Sequence, residues 1–269
     1  MLSEAIDREE KSKRFRRLNN IIRNSLSETL NRNNGTILQE VIDDYEKSKL
    51  IELRSRCYNE KDIAESKTQN GEDPFDRFSR FFVLNCYTKE GLPYVGRAVR
   101  IVKRNNPLGI LPTEISLMNQ NELDSFSKYV NGRSNPNWSV SSLSPESKSN
   151  FEKIFQGYTN SDRVYEVGGL VGLDKSYLSC IMLILGMAQI GWVKENWDFS
   201  IQTQNPHHVG SYKKILPYKK VESDKEFYKD ENGKERAGYL DHCGRPASTL
   251  YLDENGKEIR NFYYKLVSQ

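Results

Sequence analysis

The sequence predicts an α/β (α+β) protein in which one mixed sheet is flanked by helices. The first observation is residues 163–221, where strand-like and helix-like patterns follow in the order strand, helix, strand, helix, strand. The second is residues 81–102, where two apolar strand-like runs flank a turn at Lys89-Glu-Gly-Leu-Pro93. At 269 residues, the chain has room for one large domain or for one and a half small ones.

The composition narrows the class of protein. Charged residues make up 29% of the chain and the net charge is +3, so a nearly balanced surface argues against nucleic acid as the main partner. The four cysteines form no CxxC pair, and Cys86 and Cys180 lie in apolar runs, as buried thiols in a reducing cytosol do. The first residues lack the apolar core of a signal peptide, and residues 181–190 are too few to span a bilayer. We therefore expect a soluble cytoplasmic protein.

Residues 1–35 form the first predicted segment, an amphipathic helix over residues 4–31 that ends at an Asn33-Asn34-Gly35 turn. The apolar stripe of this helix consists of Phe15, Leu18, Ile22, Leu26 and Leu30. The basic face consists of Lys11, Lys13, Arg14, Arg16, Arg17 and Arg23. Such a helix lies on an anionic membrane, binds a partner, or packs its stripe on its own domain. Peripheral membrane contact therefore stays open.

Residues 36–222 form the predicted main domain. A first strand at residues 36–42 precedes a helix that ends at Tyr58, and a polar loop covers residues 59–71. The acidic stretch Glu72-Asp73-Pro-Phe-Asp76 then leads into strands at residues 81–87 and 94–102. Residues 119–160 are polar, have Trp138 as the only large apolar anchor in the middle of the stretch, and read as an insertion that is either a functional lid or inert.

The strand at residues 163–172 organises the second half of this domain. Gly168-Gly169 interrupts its strand-forming residues, which indicates a bulge or a close approach by another chain or ligand. Glu166 is one of few charges in this apolar run, so its carboxylate is paired, lies at a strand end, or moves a proton.

Four further elements follow that strand. Asp174 and Ser176 are N-cap candidates for a strongly apolar helix that ends at Gly191. Residues 198–204 alternate as a strand, residues 205–215 are predicted as a short helix, and residues 217–221 as another strand.

The tail, residues 223–269, contains a short sequence that occurs twice. Asp-Glu-Asn-Gly-Lys-Glu occurs at residues 230–235 and again at residues 253–258, and Asn-Gly between strand-like flanks predicts two β-hairpins that extend the sheet or cap it. His207-His208 and His242-Cys243 have no third ligand at a recognisable spacing. We therefore predict no metal site, and surface or capping histidines.

Several motifs together resemble the GNAT superfamily of acyltransferases, and within it the branch of autoinducer (acyl-homoserine lactone) synthases and N-acyl amino acid synthases. The resemblance covers residues 36–221, roughly two thirds of the chain, and follows the branch's order. Its motifs are Leu53-Arg54 with the aromatic Tyr58, Asp73-x-x-Asp76, the strand hairpin, the proline-rich turn Pro107-Leu-Gly-Ile-Leu-Pro112, Glu166-Val-Gly-Gly-Leu-Val171, and Ser211-Tyr212. The resemblance implies a splayed sheet whose fourth and fifth strands part to admit the pantetheine arm of an acyl carrier.

Three departures separate the chain from that branch. The branch has an arginine three positions after a glycine of its third strand, where this chain has Val99 after Gly96, with Arg97 and Arg100 on either side. Either a bulge shifts the register, or the arginine does a different job. Gly169 stands where the branch has a second arginine. The superfamily's pyrophosphate loop is absent between residues 171 and 179, which favours a donor other than ordinary acetyl-CoA.

The resemblance implies an N-acyltransferase that uses acyl carrier protein or a CoA thioester, with no permanently bound cofactor, to acylate an amino acid or related amine. It assigns the catalytic roles to Glu166, as base, and Tyr212, which protonates the leaving thiolate. Among the substrate-binding residues, Asp73 and Asp76 would orient the amine, and Arg54 or Arg100 would pair with a substrate carboxylate or simply hold the aspartates in place. The acyl-carrier and oxyanion contacts fall on Gly168, Gly169, Leu170, Val171 and Asn205.

Two expectations remain open for the structure. A long acyl chain needs an apolar channel between the splayed strands, and we expect its walls to be Phe81, Val83, Val99, Leu170, Met182 and Ile201. The alternative to an enzyme is a non-catalytic GNAT-like protein-interaction module that uses the basic helix and the tail hairpins.

Overall fold

The computed structural model describes residues 17, 20–59, 73–130, 138–223, 225–230, 232–253, 258–259, 261 and 263–264. The strands in these ranges are β1 (Gln39–Val41), β2 (Ser79–Tyr87), β3 (Pro93–Lys103), β4 (Val164–Gly172), β5 (Phe199–Gln204), β6 (Lys219–Lys220), β7 (Phe227–Lys229), β8 (Glu235–Ala237), β9 (Tyr239–Leu240) and β10 (Pro246–Leu252). The helices are α1 (residues 20–32), α2 (Asp44–Asn59), α3 (Gln120–Val130), α4 (Pro145–Gln156), α5 (Tyr177–Ala188) and α6 (Val209–Ile215).

In the described part of the chain, the main sheet has the order β1-β2-β3-β4-β5-β10-β6, with β9 paired to β10. The strand pairs are antiparallel except β4 and β5, which run parallel. The predicted mixed sheet with flanking helices is therefore confirmed.

The two parallel strands part after only three residue pairs. Val164, Tyr165 and Glu166 of β4 pair with Phe199, Ser200 and Ile201 of β5. Beyond that point β4 continues to Gly172 and β5 to Gln204 without pairing to each other. The splay that the sequence predicted is thus present, and Glu166 is the last residue of β4 before the strands separate.

Side chains alternate across the sheet and separate three apolar cores. One core contains side chains from α1, α5 and α6, including Leu26, Leu183 and Tyr212. On the opposite face, one core joins β2 and β3 to α2 through Leu50 and Ile51. The other core on that face joins β4 and β5 to α3 and α4, and its members include Leu123, Phe151 and Phe155.

Helix α5 is the most apolar element of the core. The Ser176 side chain caps it by accepting from the N–H of Ser179. Gly186 lets Leu38 approach so closely that an added Cβ would lie 2.4 Å from Leu38 Cγ. The helix continues through a π-helical turn, and Tyr177–Lys194 has the length and hydropathy of a membrane-spanning helix, although most of it is buried inside this protein.

Gly191 does not end this helix as the sequence suggested. It lies within the π-helical turn, and the Trp197 ring packs on it so that an added Cβ would meet Trp197 Cε3 at 2.5 Å. The glycine therefore serves close packing rather than a helix stop.

The tail departs from its prediction in one of its two hairpins. β7 and β8 form the first hairpin. The second is wrong, because residues 258–259, 261 and 263–264 are helical. Strand β10 instead inserts into the main sheet between β5 and β6, so the predicted boundary at residue 222 cuts through that sheet.

Two other predicted segments lie partly or wholly outside the described residues. Residues 20–32 are helical as predicted, but most of the basic face of the N-terminal helix lies outside, as does the loop from residue 60 to residue 72. The stretch at residues 119–160 supplies α3 and α4, whose apolar side chains complete a core of the domain.

Candidate active site

Four charged side chains meet on the sheet face between the α2 core and the α3–α4 core. Arg54 of α2 donates to the carboxylate of Asp76, with Nη1 at 2.9 Å from Oδ1. Arg100 of β3 donates to the same carboxylate at 2.7 Å and lies 3.1 Å from Asp73. Arg54, Asp76 and Arg100 are buried, whereas the Asp73 side chain is 30% exposed. The cluster therefore presents one carboxylate to solvent.

The turn before β2 is shaped by its own aspartates. Asp76 Oδ2 accepts from the N–H of Asp73, and Asp73 Oδ1 accepts from the N–H of Phe75. Phe75 anchors the turn because it is 1% exposed and belongs to the α3–α4 core. The Asp-Pro-Phe-Asp sequence thus fixes both carboxylates before any substrate is present.

A bulge at Gly96 explains the displaced arginine. Leu84 of β2 pairs with Arg97, but the next residue, Asn85, pairs with Val95, so Gly96 is an extra residue in β3. The extra residue moves the arginine from three to four positions after the glycine. Arg100 rather than Val99 therefore faces the two aspartates, while Arg97 instead donates to Ser179 at 2.7 Å.

The predicted bulge in β4 is also present. Arg100 pairs with Gly168, whereas Ala98 pairs with Val171, so two residues of β4 stand opposite Val99. One of them, Gly169, has φ +60, and an added Cβ would lie 3.2 Å from Arg100 Cβ and 3.3 Å from Arg54 Nη1. Only glycine fits this backbone and this contact with the charged cluster.

One side-chain nitrogen of Arg100, Nε, does not take part in the ion pairs with the aspartates. Its Nε is buried and has no hydrogen-bond partner among the described residues. The same atom lies 3.7 Å from the position that a Cβ on Gly169 would occupy. A buried N–H donor without a partner is costly, and here it lies next to the bulge of β4.

Glu166 lies at the edge of the cluster and is 5% exposed. Its Oε2 accepts from the backbone N–H of Thr113 at 2.7 Å. Burial raises the pKa of Glu166 to about 7, although the hydrogen bonds from Thr113 and the charge of Arg100 act to lower it. Asp73 acts in the opposite direction. Glu166 therefore titrates near neutral pH, which suits a general base.

The two arginines keep the exposed aspartate ionised. Burial acts to raise the pKa of Asp73, but Arg100 and Arg54 outweigh it and hold that pKa below its usual value. Asp73 and Glu166 consequently differ in protonation although Arg100 influences both. The site thus combines a permanent anion with a carboxyl group that exchanges a proton.

The structure separates Tyr212 from Glu166. Tyr212 of α6 is buried in the core on the α5 face, and its ring packs edge-on against Tyr218 at 6.3 Å. Glu166 points to the other face, because its neighbour Val167 belongs to the α5 core. Beyond Glu166, β4 and β5 no longer pair with each other, and this unpaired stretch is the gap between the two strands.

The remaining predicted contacts border that gap. Val171 is buried, and Leu170 packs partly buried against the α5 core. Asn205 follows β5 directly and caps a short turn, where its Oδ1 accepts from the N–H of His207. Its side chain thus has a structural role whatever else it contacts.

The prediction that six side chains line one acyl channel is wrong, because they lie on opposite faces of the sheet. Phe81 and Val83 lie in the α2 core and Ile201 in the α3–α4 core. Val99, Leu170 and Met182 lie on the opposite face, against α5. The expectation combined side chains from both faces of the sheet, which alternate along each strand.

Sequence reasoning missed two residues of this region. Thr113 lies in the short 3-10 helix Pro112–Leu117, which begins at the last proline of the proline-rich turn. Its backbone N–H donates to Glu166 at 2.7 Å. His242 is buried, with Nδ1 3.2 Å from Ser116 Oγ and the Trp138 ring edge-on at 5.5 Å. Burial lowers its pKa to about 4, so the expectation of a surface or capping histidine is wrong here. His207 and His208 are exposed, and no candidate metal cluster occurs among the residues described.

The pair β4–β5 and its parting after Glu166 are the features that the GNAT resemblance implied, and the bulge beside them is the one that Gly168-Gly169 predicted. The fold is GNAT-like.

Comparison with known proteins gives the following similarities. The structure of FeeM, an N-acyl amino acid synthase from uncultured soil microbes, aligns with 84% of this chain and 93% of its own at 11% identity and TM-score 0.47. The autoinducer (AHL) synthase LasI aligns with 80% of this chain and 88% of its own at 11% identity and TM-score 0.42. The aminoglycoside acetyltransferase AAC(6')-Ib in complex with paromomycin and acetyl-CoA aligns with 82% of this chain and 95% of its own at 9% identity and TM-score 0.39.

No protein-family model and no curated protein sequence matches the chain. With identities of 9–11% and TM-scores below 0.5, the chemistry of this chain has to be inferred from its own site.

Proposed function

We propose that the chain is an N-acyltransferase that moves an acyl group, a fatty one by our expectation, from a thioester to the amine of an amino acid or related small molecule. The observation that carries this is Glu166, a buried carboxyl group with a pKa of about 7 at the point where β4 and β5 part. A base with a pKa near the working pH accepts a proton most effectively.

Glu166 would take the proton that the amine loses as it attacks the thioester carbonyl carbon. The new C–N bond forms, and the electron pair of the carbonyl moves to its oxygen. The oxyanion then collapses and the C–S bond breaks. The thiolate receives a proton from Tyr212, the role that the resemblance implies, so the amide and a free thiol are the products. An acceptor that arrives as an ammonium ion first loses one proton to solvent, and after the transfer solvent takes the proton from Glu166 and returns one to Tyr212.

The carbonyl oxygen gains negative charge in this step and needs hydrogen-bond donors. The peptide N–H of Gly169 at the bulge and the Nε of Arg100, which has no partner among the described residues, are the donors that we assign to it. Both sit on rigid strands, so little reorganisation is needed as the charge develops.

Asp73 suits the acceptor amine. It is the exposed carboxylate of the cluster, and its arginine partners keep it ionised, so it attracts an ammonium group. Asp76 is enclosed by the guanidinium groups of Arg54 and Arg100, so we assign it to holding these arginines in place and not to binding the substrate. Arg54 and Arg100 therefore hold the aspartates, which is one of the two roles left open by the sequence.

The gap between β4 and β5 suits a pantetheine arm, whose amide groups need hydrogen-bond partners. Gln202 Nε2 and both polar side-chain atoms of Gln204 are buried without partners among the residues described. Both glutamines lie at the end of β5 where it leaves β4. We assign them to the amides of the arm, together with Asn205, which follows directly.

The start of α5 favours acyl carrier protein over CoA as donor. The N–H groups of Leu173 and Asp174 both donate to Gly96 O at 3.0 Å. The Asp174 carboxylate accepts from the N–H and hydroxyl of Ser176 and places a negative charge at the helix N-terminus. A pyrophosphate would meet that charge and would find these N–H groups already bonded.

The alternative, a non-catalytic interaction module, explains the site less well. Burying Arg54, Arg100 and Asp76 together costs desolvation energy that an apolar core avoids. Groups with perturbed pKa values gather at functional sites more often than elsewhere. We expect the enzyme to work in the cytoplasm, where acyl thioesters are made.

The test is direct product formation by the purified chain. It is incubated with matched acyl carrier protein and CoA thioesters and a panel of amino acids and amines, and N-acyl products are identified by mass spectrometry. We expect product from wild type and a 10²- to 10⁴-fold lower rate from Glu166→Gln. Glu226→Gln is the control, because Glu226 is also buried but accepts from the N–H of Ser144 and contacts neither the charged cluster nor Glu166.

The proposal fails if no pairing of donor and amine yields a product that depends on Glu166. A stable complex with another protein and an unchanged profile of extracted lipids in expressing cells would support the interaction module instead.

A further inference from the structure

Four hydroxyl groups form a chain that starts beside Glu166 and runs through residues of β5, β10 and β9. Thr113 donates its N–H to Glu166 Oε2 at 2.7 Å, and its hydroxyl also acts to lower the pKa of Glu166. Thr113 Oγ1 lies 2.9 Å from Thr203 Oγ1, which lies 3.0 Å from Thr249 Oγ1. Thr249 Oγ1 in turn lies 2.7 Å from the phenolic oxygen of Tyr239. We call Thr113, Thr203, Thr249 and Tyr239 the hydroxyl chain.

The direction of this chain follows from counting hydrogens. A hydroxyl has one hydrogen to donate, and an ionised carboxylate only accepts. When Glu166 is ionised, its negative charge attracts the hydrogen of the Thr113 hydroxyl, and Thr113 then accepts from Thr203. Thr203 must then accept from Thr249, and Thr249 from Tyr239. The ionisation of the Glu166 carboxylate therefore fixes the direction in which each of the four hydroxyl groups donates its hydrogen.

Tyr239 suits the end of such a chain. It is fully buried, and burial raises its pKa, with Glu222 and Asp241 acting in the same direction. Its phenol therefore keeps its hydrogen and remains a donor at any pH at which the enzyme works.

We propose that the hydroxyl chain is a positioning device that keeps Thr113 donating to Glu166, and that it thereby holds the ionised carboxylate ready to accept a proton. Thr203, Thr249 and Tyr239 act through Thr113 and do not contact substrate. The inference rests on the proposed function only in naming Glu166 as the base. Hydrogen-bonded hydroxyls in a buried site polarise one another, so a distant member affects the carboxylate.

Charged groups also face Glu166 and have to be held constant. Arg100 approaches from β3 and Asp73 from the turn before β2, with opposite effects on Glu166. Arg54 of α2 and Asp76 stand behind them. None of these residues is changed in the variants below, so a change in the titration of Glu166 reports the hydroxyl chain.

The experiment titrates Glu166 in the full chain without substrate. Glutamate is labelled with ¹³C at the carboxyl carbon, and the Glu166 signal is assigned by its loss in Glu166→Gln. Because a lost donor to the ionised form raises a carboxyl pKa, we expect Thr203→Val and Tyr239→Phe each to raise the pKa of Glu166 by about half a unit to one unit. Thr203→Ser keeps the hydroxyl and should titrate as wild type does.

Tyr263→Phe is the matched control. Tyr263 is a buried tyrosine whose hydroxyl pairs with Gln189 on the α5 face, outside the hydroxyl chain. It should leave the titration of Glu166 unchanged. If Thr203→Val loses its fold in a thermal melt, Tyr239→Phe decides, because it removes one oxygen at the far end of the chain.

An unchanged pKa in Tyr239→Phe, or equal changes in Tyr239→Phe and Tyr263→Phe, would overturn the inference. The titration needs no catalysis, so its outcome is independent of the acyltransferase assay. If that assay succeeds, the acid limb of the rate profile should move to higher pH in the same two variants.

Discussion

Arg54 and Arg100 bind one carboxylate, that of Asp76, from two different elements of the fold. Arg54 reaches it from α2 and Arg100 from β3, with donor distances of 2.9 and 2.7 Å to the same oxygen, Oδ1. Asp76 therefore neutralises part of two buried positive charges and ties helix α2 to the sheet. Asp73, three residues earlier, touches only Arg100 among the described ion pairs and is partly exposed.

The two aspartates should respond differently to loss of charge. Asp76→Asn leaves two buried guanidinium groups short of an anion, so we expect a loss of about 3–5 kcal/mol in the free energy of unfolding. Asp73→Asn should cost much less stability but raise KM for the amine, because it removes the exposed anion. Urea unfolding and steady-state kinetics of both variants measure this. Equal stability losses would contradict the division of roles.

Gly169→Ala tests the bulge of β4. The new methyl group would adopt an unfavourable φ and press on Arg100 and Arg54, so we expect a loss of roughly 2–3 kcal/mol in stability together with most of the activity. Gly91→Ala is the control, because Gly91 has φ +81 but no atom within 4 Å of its added Cβ. It should cost about 1 kcal/mol and leave activity unchanged. Similar effects in the two variants would remove the special role of Gly169.

Glu166 makes activity and stability depend on pH in opposite senses. Its ionised form is the base, so the rate should rise with pH through about 7. Its folded pKa is raised above the unfolded value of 4.5, so the native state binds the proton more tightly and loses stability as pH rises from about 4.5 to 7. The difference in unfolding free energy between wild type and Glu166→Gln should therefore shift by roughly 3 kcal/mol against wild type over that range. A pH-independent difference would show that Glu166 titrates normally.

The sequence predicted the local features of the site well. Gly168-Gly169 indicated the bulge, and alternation placed Glu166 in a buried strand whose partner begins near residue 198. Which arginine faces the aspartates depended on a single extra residue, Gly96, and a one-residue shift turns every later side chain to the other face. The sequence placed Arg97 and Arg100 on either side of Val99, and the site residue that we predicted, Arg100, is the one that faces the aspartates.

The misses were pairings between distant parts of the chain. The second Asn-Gly turn suggested a local hairpin, but β10 pairs with β5 and β6 inside the main sheet. Thr113, Thr203 and Thr249 come from three separate segments and share no motif, so no spacing rule links them. Their contact follows only from the order of the strands.

The choice of donor gives the last prediction. Asp174 holds a negative charge at the start of α5, where it accepts from both groups of Ser176. Asp174→Asn keeps a side chain that can accept one of these hydrogen bonds but removes the charge that would repel a pyrophosphate. Charges near a helix N-terminus contribute about 0.3–1 kcal/mol, so kcat/KM with an acyl-CoA should rise by roughly two- to fivefold, and more at low salt than at high salt.

The same substitution should barely change kcat/KM with the matched acyl carrier protein, if that donor's pantetheine arm enters between β4 and β5 without a pyrophosphate at this position. The ratio of the two kcat/KM values is therefore the quantity to measure, and Lys175→Gln, next to Asp174 but of opposite charge, is the control that should move the ratio the other way. If both donors respond equally to Asp174→Asn, the start of α5 does not discriminate between them. The preference for carrier protein would then have to come from a surface that contacts the carrier itself, because the arm beyond the phosphate is the same in both donors.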